Sequence, residues 1–167
     1  MLARLALLGF GNVGRSLARL LQRKESELSE KYGITFSVTG IATGRHAAAI
    51  DPGGIDLNEA LRLVENGQTL ASLSRAEVGD SLAFVRSVPA DVLFENSPVN
   101  HENGEPAVQH LRLALERSMH AITANKGPVV FAYRELTELA EKVKRKFYFE
   151  STVMDGAPIF SLFRSAL

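Results

Sequence analysis

The sequence predicts a doubly wound α/β domain built on a mostly parallel sheet. Three observations carry that expectation. Short apolar runs alternate with stretches of helical periodicity along the chain. The runs are apolar nearly throughout, as in strands covered on both faces. The first run is joined to the first helical stretch by a turn reading G-F-G-N-V-G, with glycines at Gly9, Gly11 and Gly14. Crossovers between parallel strands are expected to be right-handed.

Taken in order, Leu2–Leu8 is a strand interrupted only by Arg4. Val13, Leu17, Leu20, Leu21 and Leu28 mark the apolar face of a helix. Lys24, Glu25, Glu27, Glu30 and Lys31 mark its wet face, and Gly33 stops it. Ile34–Thr43, rich in β-branched residues, is the second strand, followed by a loop over Gly44–Gly54. Asp56 caps a helix with Glu59 in capping-box position and Gly67 at its end. The stretch Leu70–Ser81 is weakly patterned and holds one short helix after Ser74. Asp91–Glu95 is a third buried strand, closed by the turn N-S-P-V-N. Pro106 takes a first helical position ahead of the stripe Ala107, Val108, Leu111, Ala114 and Leu115. Met119–Ala124 is a strand followed by an N-K-G-P turn. Leu136, Leu139, Ala140 and Val143 mark a helix whose end carries Lys142, Lys144, Arg145 and Lys146. Lys146–Ser151 is the last strand.

Composition narrows the function. The chain has 167 residues, enough for one domain with a real core. Its 19 basic and 19 acidic residues balance, which argues against broad nucleic-acid or membrane binding. With no cysteine, disulfide and thiolate chemistry are excluded. No run approaches the roughly 18 apolar residues of a membrane span, and the start lacks a signal-peptide pattern, so a cytoplasmic protein is expected. The C-terminal stretch, ending S-L-F-R-S-A-L, reads as a helix cut in mid-element.

The glycine turn between a strand and a helix is the feature that carries chemistry. The first glycine permits the tight turn, the second admits the pyrophosphate of a dinucleotide, and the third lets helix and strand pack closely. The anion rests on unpaired helix amides. No carboxylate follows the second strand until Asp51. Arg45 stands there instead, able to pair with a 2′-phosphate, which favours NADP over NAD. Asn96 and Ser97 follow a strand at the carboxyl end, where ligands of open sheets bind. Asn125 and Lys126 hold the same kind of position, and Lys126 is suited to a substrate carboxylate, a carbonyl oxygen or the cofactor. Glu150 and Asp155 are weak cation candidates, because hard cations need several oxygen ligands. The spacing of His101, His110 and His120 is not that of metal ligands, and no Ser-His-acid constellation can be argued.

Together these segments resemble homoserine dehydrogenase. The matching pieces are G-F-G-N-V-G-R at 9–15, N-S-P at 96–98, T-A-N-K-G-P at 123–128 and E-S-T-V-M-D-G-A-P-I at 150–159. The resemblance implies a Rossmann-like, NAD(P)-binding N-terminal domain over 1–149 and the start of a substrate and dimerisation domain over 150–167. It implies interconversion of aspartate 4-semialdehyde and homoserine, on the route to threonine and methionine, by a homodimer or larger assembly. By position, Phe10, Gly11, Asn12 and Val13 are similar to the family's cofactor loop. Arg45 resembles the arginine that meets the 2′-phosphate, and Ser97 the residue beside the nicotinamide ribose. Lys126 resembles the lysine at the cofactor and active centre. Glu150, Val153, Asp155 and Ala157 resemble a stretch that coordinates sodium, although Met154 and Asp155 stand where many relatives have small residues. Further acidic residues and a second lysine of the family lie beyond Leu167, so a fragment is expected. A second reading is a non-catalytic module that binds or senses NAD(P)(H).

Overall fold

The computed structural model of the chain describes residues 1–154 and 157–166, apart from the side chains of Met154 and Arg164. The strands are β1 (Leu2–Leu8), β2 (Thr35–Ala42), β3 (Ala48–Ile50), β4 (Val92–Glu95), β5 (His120–Thr123) and β6 (Phe147–Tyr148). They lie side by side in the order β3-β2-β1-β4-β5-β6. Every pairing is parallel except that of β2 with the edge strand β3. The expected doubly wound sheet is therefore observed. The chain goes out from β1 to β2 on one side and resumes at β4 on the other, so the strand order reverses between β1 and β4. Ligands of such sheets bind outside the carboxyl ends at that reversal.

Helices α1 (Asn12–Tyr32) and α2 (Leu57–Glu65) cover one face. Helices α3 (Ser81–Ser87), α4 (Ala107–Glu116) and α5 (Lys126–Lys142) cover the other. Alternation along β1 feeds both layers. Leu5 and Leu7 pack with Ala18 of α1 and Ala60 and Leu61 of α2. Ala6 and Leu8 pack with Phe84 and Val85 of α3 and Ala114 of α4. A third cluster joins Leu111 and Leu115 of α4 to Leu136 and Ala140 of α5, above Ala121. At the amino ends of the strands, Arg4 donates to both oxygens of Asp91, at 3.1 and 2.7 Å, and holds that carboxyl below the usual carboxylate range. Beyond β6, α6 (Ser151–Met154) leads toward α7 (Ile159–Ala166). The ring of Phe149 meets those of Tyr133, Phe147 and Phe160, which ties α7 to α5. No helix among the described residues is long and apolar enough to cross a membrane.

Several expectations change in detail. Part of the Gly44–Gly54 loop is the edge strand β3. On α1 the buried positions are Gly14 and Ala18, while Val13 and Leu20 are 54% and 43% exposed, because the helix approaches the sheet through its small residues. Asp56 caps α2 through the amides of Asn58 and Glu59 as expected. Glu59 does not complete the box, because its carboxylate pairs with Arg62. Residues 75–80 form no helix directly after Ser74. Its hydroxyl is occupied by Ile50 N and Ala76 O, and a single 3-10 turn, Leu70–Leu73, precedes it. The helix of this region is α3, capped by Asp80, whose side chain accepts from Ala83 N at 2.7 Å. Pro106 is the N-cap of α4 rather than its first residue. The N-K-G-P segment is the start of α5, not a separate turn: Asn125 caps it, and Pro128 falls in the first turn where no intrahelical N–H bond is lost. The last strand pairs only over Phe147–Tyr148, since the chain turns into α6 at Ser151.

Phe84 is fully buried in its cluster, between α3 and the sheet. Phe84→Ala is expected to lower the unfolding free energy by about 3–5 kcal/mol in urea denaturation. Val130→Ala, at a position 72% exposed, should stay within about 0.5 kcal/mol.

Candidate functional site

The turn after β1 is held against the turn after β4 by backbone alone. Gly9 has φ +94°, and a Cβ there would lie 2.3 Å from the Asn96 carbonyl oxygen. A Cβ on Gly14 would lie 2.3 Å from the Gly9 carbonyl oxygen. Neither position admits a side chain, so α1 starts as close to the sheet as backbones allow. Gly11 differs, because a Cβ there would meet nothing within 4 Å. Gly11 is also the N-cap of α1, and no side chain caps the helix. The first amides, those of Asn12, Val13 and Gly14, have no hydrogen-bond partner among the described residues, and unpaired donors are what an anion requires. Phe10 is 2% exposed and belongs to the core, so what it can offer a ligand is backbone. Arg15 stands outside the expected set. Its guanidinium donates to Gly11 O at 3.3 Å and to Asn12 Oδ1 at 2.9 Å, which puts a cation beside the turn. The arginine directly after the third glycine was the available signal.

Two clefts open at the carboxyl ends of the strands. The larger, of about 380 Å³, runs from Gly9 past Thr43 and Gly44 to Gly79, Ser81 and His110. The smaller, of about 190 Å³, is lined by Val13, Asn96, Ser97, Val99, Asn125 and Lys126. Ser97 borders both. The loop after β2 is fixed by Thr43, whose hydroxyl accepts from Arg45 N at 3.2 Å and His46 N at 2.6 Å. Arg45 is exposed on that loop, and no hydrogen bond or ion pair engages its guanidinium among the described residues. Asn96 Nδ2 is buried without a partner among the described residues. Lys126 is exposed at the first position of α5, placed there by the Asn125 cap, whose Oδ1 accepts from Gly127 N at 3.0 Å. The fold thus brings the expected residues of three strand ends to one edge of the sheet. Arg45 sits on the loop beside the larger cleft and Lys126 in the smaller.

A further contact was not foreseen. Ser81 Oγ lies 2.8 Å from His110 Nε2, and His110 Nδ1 lies 3.8 Å from Glu95 Oε1, with both His110 and Glu95 buried. This Ser-His-acid grouping is not a nucleophilic triad. The second separation exceeds hydrogen-bond length, and the Glu95 oxygens are occupied by Ser97 and Thr123. The three residues come from α3, α4 and β4, and only tertiary packing joins them.

The sodium-like stretch behaves differently. Both Glu150 oxygens accept from Ser161, at 2.9 and 2.8 Å. Val153 is 50% exposed. Ala157 is half-buried, and Asp155 lies outside the described residues. No group of three or more acidic, His or Cys side chains among the described residues is placed to hold a metal ion. Among the described residues these groups do not assemble a cation site, and no step is assigned to a metal here.

Unpaired helix amides, a glycine turn with open space at its centre, and clefts on either side of the reversal of strand order define a dinucleotide-binding domain. The family model described as "Homoserine dehydrogenase, NAD binding domain" matches residues 9–150, and the chain belongs to that family. It is 35% identical over 162 residues to the homoserine dehydrogenase of Methanocaldococcus jannaschii, covering 96% of this chain and 48% of that protein. It is 34% identical over 166 residues to the NAD(+)-dependent homoserine dehydrogenase of Pseudomonas canavaninivorans, covering 98% of this chain and 47% of that protein. A hyperthermophilic archaeal homoserine dehydrogenase solved in complex with NADPH superposes with a TM-score of 0.81 at 29% identity, covering 97% of this chain and 48% of that one. The chain spans about half the length of these relatives.

The packing contrast between the two glycines is measurable. Gly14→Ala forces a methyl onto a backbone carbonyl and is expected to cost about 2–3 kcal/mol in thermal or urea unfolding. Gly11→Val enters open space, and only its poorer N-cap preference should register, at about 1 kcal/mol or less.

Proposed function

We propose that this chain is the cofactor-binding part of an NADP-preferring homoserine dehydrogenase, with residues 150–167 opening a second domain. The observation that carries the proposal is the uncapped N-terminus of α1 behind an open Gly11, at the reversal of strand order. It is joined to membership of the family and to likeness to a relative solved with NADPH. In this reading the diphosphate rests on the amides of Asn12, Val13 and Gly14, with Gly9 supplying the turn and Phe10 its backbone. The adenosine half lies in the larger cleft below the Thr43–Ala47 loop, and Arg45 meets the 2′-phosphate from that loop. The nicotinamide riboside lies in the smaller cleft beside Val13, Asn96, Ser97 and Lys126. The unpartnered Asn96 Nδ2 is a donor available on that side.

When bound, the nicotinamide supplies or accepts the hydride exchanged with the aldehyde carbon of aspartate 4-semialdehyde. The chain's own part is to orient and to polarise. Asn96 and Ser97 fix the ribose side of the cofactor. The ammonium of Lys126 stabilises negative charge that develops on the carbonyl oxygen, or holds the substrate carboxylate. Lys126 is the cation lining the smaller cleft among the described residues. One lysine does not hold both the ammonium and the carboxylate of an amino-acid substrate, nor does it exclude water. The reading therefore assigns efficient turnover, and the dimer contact, to a chain of its relatives' length, and cofactor binding to these residues. The Pseudomonas relative is NAD(+)-dependent by name, so the NADP preference proposed for this chain rests on Arg45.

Calorimetric titration tests the assignment. Gly11→Val is expected to abolish binding of NADPH and NADH together. Arg45→Ala should weaken NADPH by about 1.5–3 kcal/mol, the value of a charge-assisted bond, and leave NADH nearly unchanged. Equal losses for both cofactors with Arg45→Ala would make Arg45 a loop-shaping residue. In a chain extended to the length of its relatives, Lys126→Ala should leave folding intact and reduce NADPH oxidation by aspartate 4-semialdehyde at least a hundredfold. Unchanged turnover would remove Lys126 from the reaction.

A further inference from the structure

The buried polar groups beneath the smaller cleft form a closed loop of hydrogen bonds. Glu95, at the end of β4, is fully buried. Its Oε1 accepts from Ser97 N at 3.1 Å and from the Ser97 hydroxyl. Its Oε2 accepts from Thr123 Oγ1, at the end of β5, at 3.1 Å. Thr123 Oγ1 in turn accepts from Asn125 N at 3.0 Å. Asn125 Nδ2 donates back to Ser97 O at 3.1 Å and Pro98 O at 3.3 Å. Asn125 Oδ1 caps α5, the helix that begins at Lys126. Starting from Glu95, the path runs through the buried Thr123 and Asn125 and returns to the half-buried Ser97 at the cleft wall.

We infer that Glu95 is a positioning residue for the nicotinamide half of the site, holding the Asn96–Ser97 turn and the Lys126 helix start in one fixed arrangement through Ser97, Thr123 and Asn125. The inference rests on the dinucleotide reading given above. Glu95 touches neither cleft directly and acts through its neighbours. Every hydrogen bond made to its side chain is one it accepts, which is the capacity of a carboxylate and not of an amide. A carboxyl buried at this depth, held by hydroxyl and amide donors with the His110 imidazole 3.8 Å from Oε1, costs stability unless each bond is made, so the arrangement tolerates no partial substitute. The two loops it joins belong to different strands and contact the same cleft. The adenosine side is built mostly from other elements, the loop after β2 and the start of α3, with Ser97 and Pro98 at its border. Loss of the circuit therefore has a directional consequence: it disorders the riboside side, where Asn96, Ser97, Asn125 and Lys126 all lie, more than the adenosine and diphosphate side, which it meets through the turn after β4 alone.

The experiment uses Glu95→Gln, which turns one acceptor into a donor, and Thr123→Val, which deletes the hydroxyl at constant shape. Thr123→Ser serves as the conservative rescue. Each folded protein, judged by a cooperative thermal transition, is titrated calorimetrically with NADPH, NADH and ADP. ADP carries adenosine and both phosphates but no nicotinamide riboside. Expected is a loss of at least tenfold in affinity for whichever reduced dinucleotide the wild type prefers, with ADP affinity within twofold of wild type. Thr123→Ser should return dinucleotide affinity to within threefold. If Glu95→Gln fails to fold, Thr123→Val and its rescue decide the matter alone. Unchanged dinucleotide affinity in the folded variants, or equal loss for dinucleotide and ADP, would overturn the positioning role while leaving dinucleotide binding intact. A wild type that binds none of the three would overturn the dinucleotide reading itself.

Discussion

The site depends on one steric constraint, the contact of the Gly9 turn with the backbone on both of its sides. The turn leaves room for no side chain toward Asn96, and α1 leaves none toward Gly9. These two approaches set the distance between the first helix and the sheet, and they bring the turn after β4 under the helix N-terminus. The Asn96 N–H also donates to Leu8 O at 2.7 Å, which locks the same two turns from the strand side. A helix shifted outward by a methyl group would separate its unpaired amides from the β4 loop. The geometry suited to an anion is thus a by-product of close packing.

A second layer of organisation is polar and lies deeper. Buried hydrogen-bonding groups are costly unless paired, and the end of the sheet carries several that are nearly all paired with one another. Thr39 of β2 shares this design, since its buried hydroxyl donates to Pro89 O at 2.9 Å and so ties the loop before β4 to the sheet. The interior therefore specifies where the loops go, and the exposed residues Arg45, Val13 and Lys126 are carried on that frame. Because these residues are exposed and the frame is buried, changes at the former are expected to have little effect on folding.

Much of this was legible in the sequence, for identifiable reasons. The long strands and α1 announced themselves through continuous apolar runs and a 21-residue helical pattern ended by Gly33. The glycine turn was readable because its spacing reflects backbone contacts rather than side-chain chemistry. The short elements were not. β3 is a three-residue edge strand of Ala-Ala-Ile, too brief to show alternation. α3 spans seven residues, under two turns, and its one usable mark was Asp80 in cap position. The N-K-G-P segment reads as a turn because Gly and Pro break helices in their middles, yet both are tolerated in a first turn capped by Asn125. From spacing alone His110 belongs to no constellation. Its meeting with Ser81 and Glu95 joins residues 29 positions apart and could not be seen in any local pattern. Phe10 reads as part of the cofactor loop by position, whereas its ring is core.

The most direct test of the central claim is a backbone amide titration of the isotope-labelled chain with NADPH, followed by NMR. If the cofactor lies across the carboxyl ends of β1, β4 and β5 with its diphosphate on the start of α1, saturable shifts will concentrate at the amides of Gly11 to Gly14, at Ser97 and at Lys126. The opposite edge of the sheet, marked by Arg4, Asp91 and His120, will remain unchanged. Saturable shifts centred on that opposite edge, or none at the start of α1, would contradict the account.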